Sequence, residues 1–301
     1  MTADPVQISM MELADLGNPR RIACELHRQI RNQYGSVPLR CPLDGIAKAV
    51  GIVGVKDIDT KAFEGTLVIK DGKGAIGLRS SQCPVRRNFT FGHELGHFLI
   101  PSHRLRKNDF RCSSKDTSIR SSGKKSITTF EKIEIEANEF AAKLLVPDRE
   151  FKQERRKLGG LPDVTHIRKL AGLFDVSQEM MAKVYIDNDD DPCAVVISKD
   201  GIIKRPLWSE EFPFLGLKKG VPLPYGSVSA GELNKAAGHH TEVEEIDAEV
   251  WFDRPQNIDA VHEQVIIQID GWAMTLIRVE PTDPDEEVDD SDWNRRTKKW
   301  R

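Results

Sequence analysis

Apolar residues recur at helical spacing in several stretches of the N-terminal two thirds of the chain. Ile22, Leu26 and Ile30 stand four residues apart and predict a helix over 21–34. A second helix is predicted over 85–100, between two prolines, because proline opens a helix readily but cannot continue one. Further helices are predicted over 43–50, over 129–146 and, as a short amphipathic pair, within 164–185.

Strand-like patterns occupy two other regions. Thr66–Lys70 and Ala75–Arg79 flank the sequence Asp71-Gly72-Lys73-Gly74, whose glycines supply the positive φ angles that tight hairpin turns require. Helices with a small sheet, followed by a strand-rich region, predict a protein of the α+β class. The later strand-like runs are at 194–198, 202–205, 243–252, 264–270 and 274–279.

Changes in composition divide the chain into five parts. Residues 1–19 are polar, contain two prolines and a glycine, and are predicted to be a flexible leader. Residues 283–301, in which seven acidic residues precede five basic ones, are typical of a disordered charged tail. Between them the sequence predicts a main domain over 20–160, a helix-turn-helix-like helical segment over 161–189 and a C-terminal α+β domain over 190–282.

Charge and cysteine content exclude several classes of protein. The 44 Lys and Arg residues nearly balance the 47 Asp and Glu residues, so no overall charge draws the chain to nucleic acid or to an anionic membrane. No apolar run approaches the ~18 residues of a membrane span, and the five cysteines form no Cys-x-x-Cys pair. We therefore expect a soluble, cytoplasmic protein. Residues 104–125, with eight basic residues against two acidic ones, depart from this balance and are predicted to form a surface loop.

One five-residue motif indicates a catalytic metal site. The sequence His93-Glu94-Leu95-Gly96-His97 is an HExxH motif inside a predicted helix, so the two imidazoles project from one helical face and can bind one Zn²⁺ ion. Glu94 can take a proton from a water molecule at the metal. Apolar neighbours indicate that the helix is largely buried, and buried His and Glu side chains need partners. The motif therefore predicts a zinc site with Glu94 as its catalytic carboxylate.

A zinc hydrolase needs a third protein ligand, and the sequence offers two candidates. His103 follows His97 at the spacing of the HExxHxxGxxH zincins, but Ile100 stands where those enzymes need a glycine to turn the chain, so we expect a loop residue. Glu134 is the stronger candidate. On a helical wheel of 129–146 it falls inside the apolar stripe, where a carboxylate is costly unless it meets a positive charge such as Zn²⁺.

Residues near Glu134 offer an alternative partner for its carboxylate and a residue that could support a metal site. A salt bridge with Arg86 or Arg87 would also explain a buried carboxylate at this position. Asn138 lies one turn further along and can hydrogen-bond a ligating histidine and select its tautomer. Glu136 and Glu139 fall outside the stripe and are expected to face water.

The two helices together resemble a known family, the ImmA/IrrE family of bacterial zinc metallopeptidases. The resemblance extends more weakly over about 20–190 and implies a zincin-like core of gluzincin type. It makes His93, His97 and Glu134 the zinc ligands and Glu94 the catalytic carboxylate. Val146 stands where the family usually has Met, and the loop between the two motifs is long. The matching residues are His93–His97, Glu134, Glu136–Asn138, Phe140–Ala142, Leu144, Leu145 and Pro147.

The resemblance also implies a function. It predicts hydrolysis of a peptide bond in one protein substrate, a helix-turn-helix transcriptional repressor of the same cell, which switches on stress-response or mobile-element genes. In zincins an extended substrate pairs with a sheet-edge strand beside the HExxH helix. Ala75–Arg79 is predicted to be that strand, although an ordinary core strand fits its pattern equally well. Direct DNA binding and membrane association are not expected. The residues of this predicted substrate-binding strand are Ala75, Ile76, Gly77, Leu78 and Arg79.

Several alternatives stay open. The apolar residues of 164–185 fit a core better than a DNA-binding surface. Cys112 is either an idle buried thiol or a group that reaches the metal. The C-terminal domain resembles the GAF-like sensor domain of some family members. A non-catalytic zinc-containing regulator and a broad-specificity peptidase are the competing functions, and the intact Glu94 argues against the former, since a structural zinc site has no use for it.

Overall fold

The two units of the molecule are seen in a computed structural model. One unit contains residues up to 160 together with 166–185, and the other contains 161–165 and the residues from 186 onward. Most of the predicted helix-turn-helix-like segment thus lies in the first unit. Helices and two sheets place the chain in the α+β class, as predicted. The structure describes residues 5–106, 108–114, 116, 127–213, 215–253, 255 and 258–281.

Most helix ends in the first 188 residues follow signals in the sequence. Asn18 accepts a hydrogen bond from the Arg21 backbone N–H at the start of the second helix, and Gly35 ends that helix with a φ of 81°. The helices predicted between 21 and 146 are confirmed, with ends shifted by at most two residues. Among the described residues, no helix is both long enough and apolar enough to cross a membrane. The helices are α1 (Met10–Ala14), α2 (Pro19–Tyr34), α3 (Leu43–Val50), α4 (Pro84–Leu99), α5 (Pro101–Arg104), α6 (Thr129–Leu145), α7 (Asp148–Leu158), α8 (Val164–Phe174) and α9 (Gln178–Asn188).

The sheet of the first unit has, within the described residues, the strand order β1, β3, β2, β4. β2 and β3 form the predicted hairpin, and its turn residues Asp71 and Gly72 have φ angles of 50° and 74°. β3 pairs in parallel with β1 and antiparallel with β2. The prediction that Ala75–Arg79 is an edge strand is therefore wrong, because both of its edges are already hydrogen-bonded. The strands are β1 (Ile52–Ile58), β2 (Gly65–Lys70), β3 (Lys73–Arg79) and β4 (Asp109–Cys112).

Part of the predicted basic surface loop is a strand. β4 pairs antiparallel with β2, and Gly65 lies opposite Cys112. Phe110 and Cys112 are buried whereas Asp109 and Arg111 are exposed, so one face of this short strand packs on the core. The prediction of a surface loop is wrong for β4. Of the same predicted loop, residues 107, 115 and 117–125 lie outside the described residues.

The first described residues contact α2. Leu13 of α1 is 1% exposed, and the backbone N–H groups of Gln7 and Ser9 donate to the side chains of Gln33 and Gln29. Residues 5–19 therefore differ from the predicted loose leader, because a buried leucine and two glutamines of α2 hold them. Residues 1–4 lie outside the described part of the chain.

The second unit is built on an antiparallel sheet with the order β6, β5, β9, β8, β7. Each predicted run contains a strand, but 243–252 forms only three residues of strand before a short 3-10 helix, which the Asp247 side chain caps. The GAF-like assignment stays a prediction, and the charged tail 283–301 lies outside the described residues. The elements are β5 (Cys193–Lys199), β6 (Ile202–Trp208), α10 (Val228–Gly231), β7 (Glu244–Ile246), β8 (Ile258–Ile267) and β9 (Trp272–Pro281).

Candidate metal centre

The HExxH motif lies in the buried part of α4. His93, Glu94 and His97 are each 0% exposed. The two histidines share one face of the helix, as their spacing predicts, and their Nε2 atoms are 3.0 Å apart. Both imidazoles therefore point to the same small volume between α4 and its neighbours.

Small residues let α4 and α6 approach each other closely. A Cβ atom on Gly92 would lie 3.3 Å from Ala141 Cβ, and one on Gly96 would lie 3.3 Å from Ala137 Cα. Any larger residue at these two positions of α4 would push the helices apart. The close crossing brings the histidines of α4 within reach of Glu134 on α6.

Glu134 meets both histidines of the motif. Its side chain is 2% exposed, and its Oε2 atom lies 3.1 Å from His93 Nε2 and 3.6 Å from His97 Nε2. Arg87, one of the two arginines considered as its partner, pairs with Asp57 instead. Burial by itself would raise the pKa of Glu134, but the two imidazoles lower that pKa to about 2. The carboxylate is therefore ionised at neutral pH.

Asn138 selects the tautomer of His93. Asn138 Nδ2 donates to the Asp116 carbonyl oxygen at 3.0 Å, so Asn138 Oδ1 is the atom that faces His93 Nδ1 at 2.9 Å. An amide oxygen can only accept, so His93 Nδ1–H donates. In the neutral ring, His93 Nε2 then carries a lone pair that points into the centre. The contact expected from the position of Asn138 on α6 is therefore present.

A second chain of hydrogen bonds acts on His97. His103 Nε2 lies 3.0 Å from Glu136 Oε2, and His103 Nδ1 lies 3.1 Å from His97 Nδ1. Because a carboxylate only accepts, His103 Nε2–H donates to it. With neutral rings, His103 Nδ1 accepts from His97 Nδ1–H. His97 Nε2 is thereby left with a lone pair, as in His93.

His103 and Glu136 lie in environments that differ from those predicted from the sequence. His103, expected in a loop, is buried in the one-turn helix α5. Glu136, expected to face water, has a side chain only 23% exposed and accepts the bond from His103. The contact joins α5 to α6 behind the ring of His97, and no spacing along the chain indicates it.

Three lone-pair atoms face one another as a result. His93 Nε2, His97 Nε2 and Glu134 Oε2 lie 3.0 to 3.6 Å apart, and with neutral rings none of them has a hydrogen to donate. Burial lowers the pKa of His97 to about 3, which keeps that ring neutral. Burial opposes a charge on His93 too, but the carboxylates of Glu134 and Glu94 raise its pKa. Such a group of atoms is unfavourable unless it shares a positive charge, either a proton on His93 or a metal cation. Two imidazoles and a carboxylate therefore fit a divalent metal ion.

Glu94 lies beside this group. No N–H or O–H group of the described residues meets its carboxylate at hydrogen-bond geometry, and the Cys112 thiol is the polar group beside it. Burial raises the pKa of Glu94 to about 7, although the nearby His93 acts in the opposite direction. On β2 the residue facing this carboxylate is Gly65, where a Cβ atom would collide with Glu94 Oε1. Glycine at this point of β2 thus leaves the room that the carboxylate occupies.

Cys112 is a fourth side chain in the cluster. Its Sγ atom is 3.5 Å from His97 Nε2, and the ligand atoms of His93, His97, Cys112 and Glu134 all lie within 4.8 Å of one another. Burial raises the pKa of the Cys112 thiol above its ordinary range. Phe110, on the same face of β4, stacks on the His97 ring with centroids 4.3 Å apart. The sequence left Cys112 open between an idle thiol and a metal-reaching group, and the structure places its sulfur at the centre.

Comparison with known proteins assigns a family to the part of the chain that carries these residues. Residues 52–184 match the family model Peptidase_M78, described as the IrrE N-terminal-like domain, which confirms the resemblance seen in the sequence and indicates a metallopeptidase. The comparison with curated proteins gives no match. Among solved structures, a Mycobacterium tuberculosis transcriptional regulator aligns at 15% identity and a TM-score of 0.47, over 90% of this chain and 74% of that chain.

Proposed function

We propose, from the match of residues 52–184 to the Peptidase_M78 family model, that the protein is a zinc-dependent endopeptidase. The observation that carries the proposal is the buried group of His93, His97 and Glu134 with the buried carboxylate of Glu94 beside it. In the proposal the first three side chains hold Zn²⁺, and Glu94 is the catalytic residue.

In the proposed hydrolysis the residues of the site have different roles. A bound Zn²⁺ ion supplies Lewis acidity at the scissile carbonyl and at the attacking water. Glu94 accepts a proton from that water and later donates a proton to the leaving amine. Asn138 and the pair of His103 and Glu136 keep both ligating Nε2 atoms unprotonated, through the hydrogen bonds behind each ring.

The proposed substrate is a protein with one main cleavage site, a helix-turn-helix transcriptional repressor of the same cell. Its cleavage would switch on stress-response or mobile-element genes. The match to a peptidase family supports a protein substrate. The burial of the centre supports selective cleavage, because a peptide must displace covering residues before it reaches Glu94. The five cysteines of the sequence form no Cys-x-x-Cys pair, which supports a reducing, cytoplasmic location.

A Glu94→Gln substitution tests the catalytic assignment. Glutamine has the shape of glutamate but cannot take up the proton, so we expect cleavage to fall by about 100-fold or more. Zinc content should equal that of the wild-type protein, because Glu94 is not one of the proposed ligands. The assay incubates each zinc-loaded protein with helix-turn-helix repressors of the same cell and follows the fragments by mass spectrometry.

Two further arms separate the competing functions. Glu139→Gln is the matched control, since Glu139 lies on the far side of α6 and pairs there with Arg20. Chelator-sensitive cleavage of the repressor alone supports a selective endopeptidase, whereas equal cleavage of casein indicates a broad-specificity peptidase. Full activity of the Glu94→Gln protein would contradict the assignment. Bound zinc without cleavage by any variant would favour a non-catalytic regulator.

A further inference from the structure

β4 occupies the sheet edge next to the catalytic carboxylate. It hydrogen-bonds to β2 from Gly65 opposite Cys112 to Val68 opposite Asp109. β2 is also the strand that passes Glu94, since Gly65 lies against the Glu94 side chain. An extended peptide that paired with this edge of β2 would have to take the place of β4.

Two side chains of β4 reach the proposed ligands. Phe110 covers the ring of His97, with the two ring planes at 18° to each other. Cys112 is 1% exposed and brings its sulfur to 3.5 Å from His97 Nε2. These contacts place the sulfur of a thiol, a soft metal donor once it is deprotonated, beside the two imidazoles and the Glu134 carboxylate.

We propose that the thiolate of Cys112 is the fourth ligand of the metal, so that β4 holds the centre closed to substrate until Cys112 leaves. The proposal rests on the proposed metal site and adds a ligand to it. When the metal binds, the sulfur–metal bond forms and the thiol proton goes to solvent, with no change of oxidation state. When Cys112 leaves, that bond breaks and the sulfur takes a proton back.

The position of the sulfur favours a ligand over an idle buried thiol. His93, His97 and Glu134 supply three donors, which leaves one position of a four-coordinate zinc ion to a water molecule or to a fourth side chain. Cys112 is the fourth side chain of the converging group found among the described residues, so in the closed centre its sulfur takes that position. The buried carboxylate of the adjacent Glu94 distinguishes the site from a purely structural one, because a closed structural site has no use for it.

Cobalt substitution of the full-length protein tests the ligand directly. Co²⁺ bound by a thiolate has an intense near-ultraviolet sulfur-to-metal absorption band, which imidazole and carboxylate ligands do not produce. We expect this band in the wild-type protein and in Cys24→Ser, which removes an exposed cysteine, and its loss in Cys112→Ser and Cys112→Ala. Zinc affinity of the Cys112 variants should fall by about tenfold or more, since even partners of a ligand are worth about 10- to 100-fold.

The outcomes separate this inference from the proposed function. Stoichiometric Co²⁺ binding without the sulfur band would show that Cys112 is not a ligand, and it would leave the proposed peptidase function unaffected. The wild-type spectrum is sufficient for this decision, even if a variant fails to fold. Absence of any Co²⁺ or Zn²⁺ binding overturns the proposed function itself. Cys112→Ala, saturated with zinc, should cleave the repressor several-fold faster than the wild type. Equal rates would overturn the closure by Cys112.

Discussion

Two chains of hydrogen bonds orient the candidate metal ligands, one behind each histidine. Asn138 accepts from His93 Nδ1–H, and His103 accepts from His97 Nδ1–H. In both cases the outer group is itself held by a further bond, to the Asp116 carbonyl and to the Glu136 carboxylate. The donor atoms offered to the metal are therefore controlled by residues that do not reach it.

A Glu136→Gln substitution should weaken metal binding. An amide can donate as well as accept, so it no longer holds the proton on His103 Nε2, and the preference of His97 for a proton on Nδ1 is lost. We expect the zinc affinity to fall by about tenfold, measured by competition with a chromophoric chelator.

The control for this substitution lies on the same helix. Glu139→Gln removes an equal charge from α6 but acts only on a surface contact with Arg20, so its zinc affinity should match that of the wild type. If both variants bind zinc equally well, the hydrogen-bond chain through His103 has no role in tuning His97.

At the level of elements, the start of α6 sets which of its faces meets α4. Thr128 Oγ1 accepts from the Glu131 backbone N–H, and the Glu131 side chain accepts from the Thr128 backbone N–H. This reciprocal capping box defines the first turn of the helix. Glu134 follows on the buried face, one turn before Asn138, so a local signal positions both residues relative to His93.

A Gly96→Ala substitution should disturb the crossing of α4 and α6. The added Cβ atom would lie 3.0 Å from the Phe140 ring and 3.3 Å from Ala137 Cα, and the backbone atom cannot move aside alone. We expect the free energy of unfolding to fall by about 1–3 kcal/mol, as in other overpacked cores. Zinc affinity should also fall, because Glu134 moves away from the histidines.

Gly172→Ala is the matched control in α8. Nothing lies within 4 Å of the Cβ atom it adds, so alanine should raise the free energy of unfolding by about 0.5–1 kcal/mol through its better helix propensity. Urea denaturation followed by circular dichroism measures both variants. An unchanged midpoint for Gly96→Ala would show that the crossing tolerates a wider spacing.

Two of the elements missed by the sequence patterns, α7 and β4, share a physical reason. α7 is dominated by charged residues and buries only Glu150 and Phe151, so it has no apolar stripe to detect. β4 is a four-residue strand within a basic, serine-rich segment. Both are stabilised by neighbours distant in sequence, such as the ion pair of Arg31 with Glu150 and the pairing of β4 with β2.

At the scale of the whole molecule, the residues of the metal centre and the tryptophans fall in different parts of the chain. Every proposed ligand lies in the first unit. No tryptophan occurs before position 208, and the five are at positions 208, 251, 272, 293 and 300. Circular dichroism at helical wavelengths therefore reports mainly the helices of the first unit, and tryptophan fluorescence reports the other part of the chain.

Removal of the metal should lower the stability of the first unit. A metal at about 100 times its dissociation constant adds about 2.7 kcal/mol to the folded state. A chelator should therefore lower the thermal midpoint seen by circular dichroism more than the midpoint seen by fluorescence. A His93→Ala protein should not respond to the chelator. The same shift in both signals would place the stabilising metal elsewhere.

Local patterns in the sequence were sufficient to predict three side chains that the structure brings together, His93, His97 and Glu134. His93 and His97 are one helical turn apart, and helix geometry converts that spacing directly into a shared direction. Glu134 was found because a carboxylate in an apolar stripe demands a partner, and that demand is also local. The positions of these three side chains depend on two helices and little else.

The rest of the centre depends on how separate elements pack. His103 and Cys112 come from short segments whose own patterns are uninformative, and they reach His97 only because α5 and β4 lie against α4. The sheet order likewise placed β1 against β3, and so left β4 as the edge strand next to β2, the strand that passes Glu94. Contacts between residues distant in sequence follow from the packing of whole faces and edges, which no single stretch of the chain encodes.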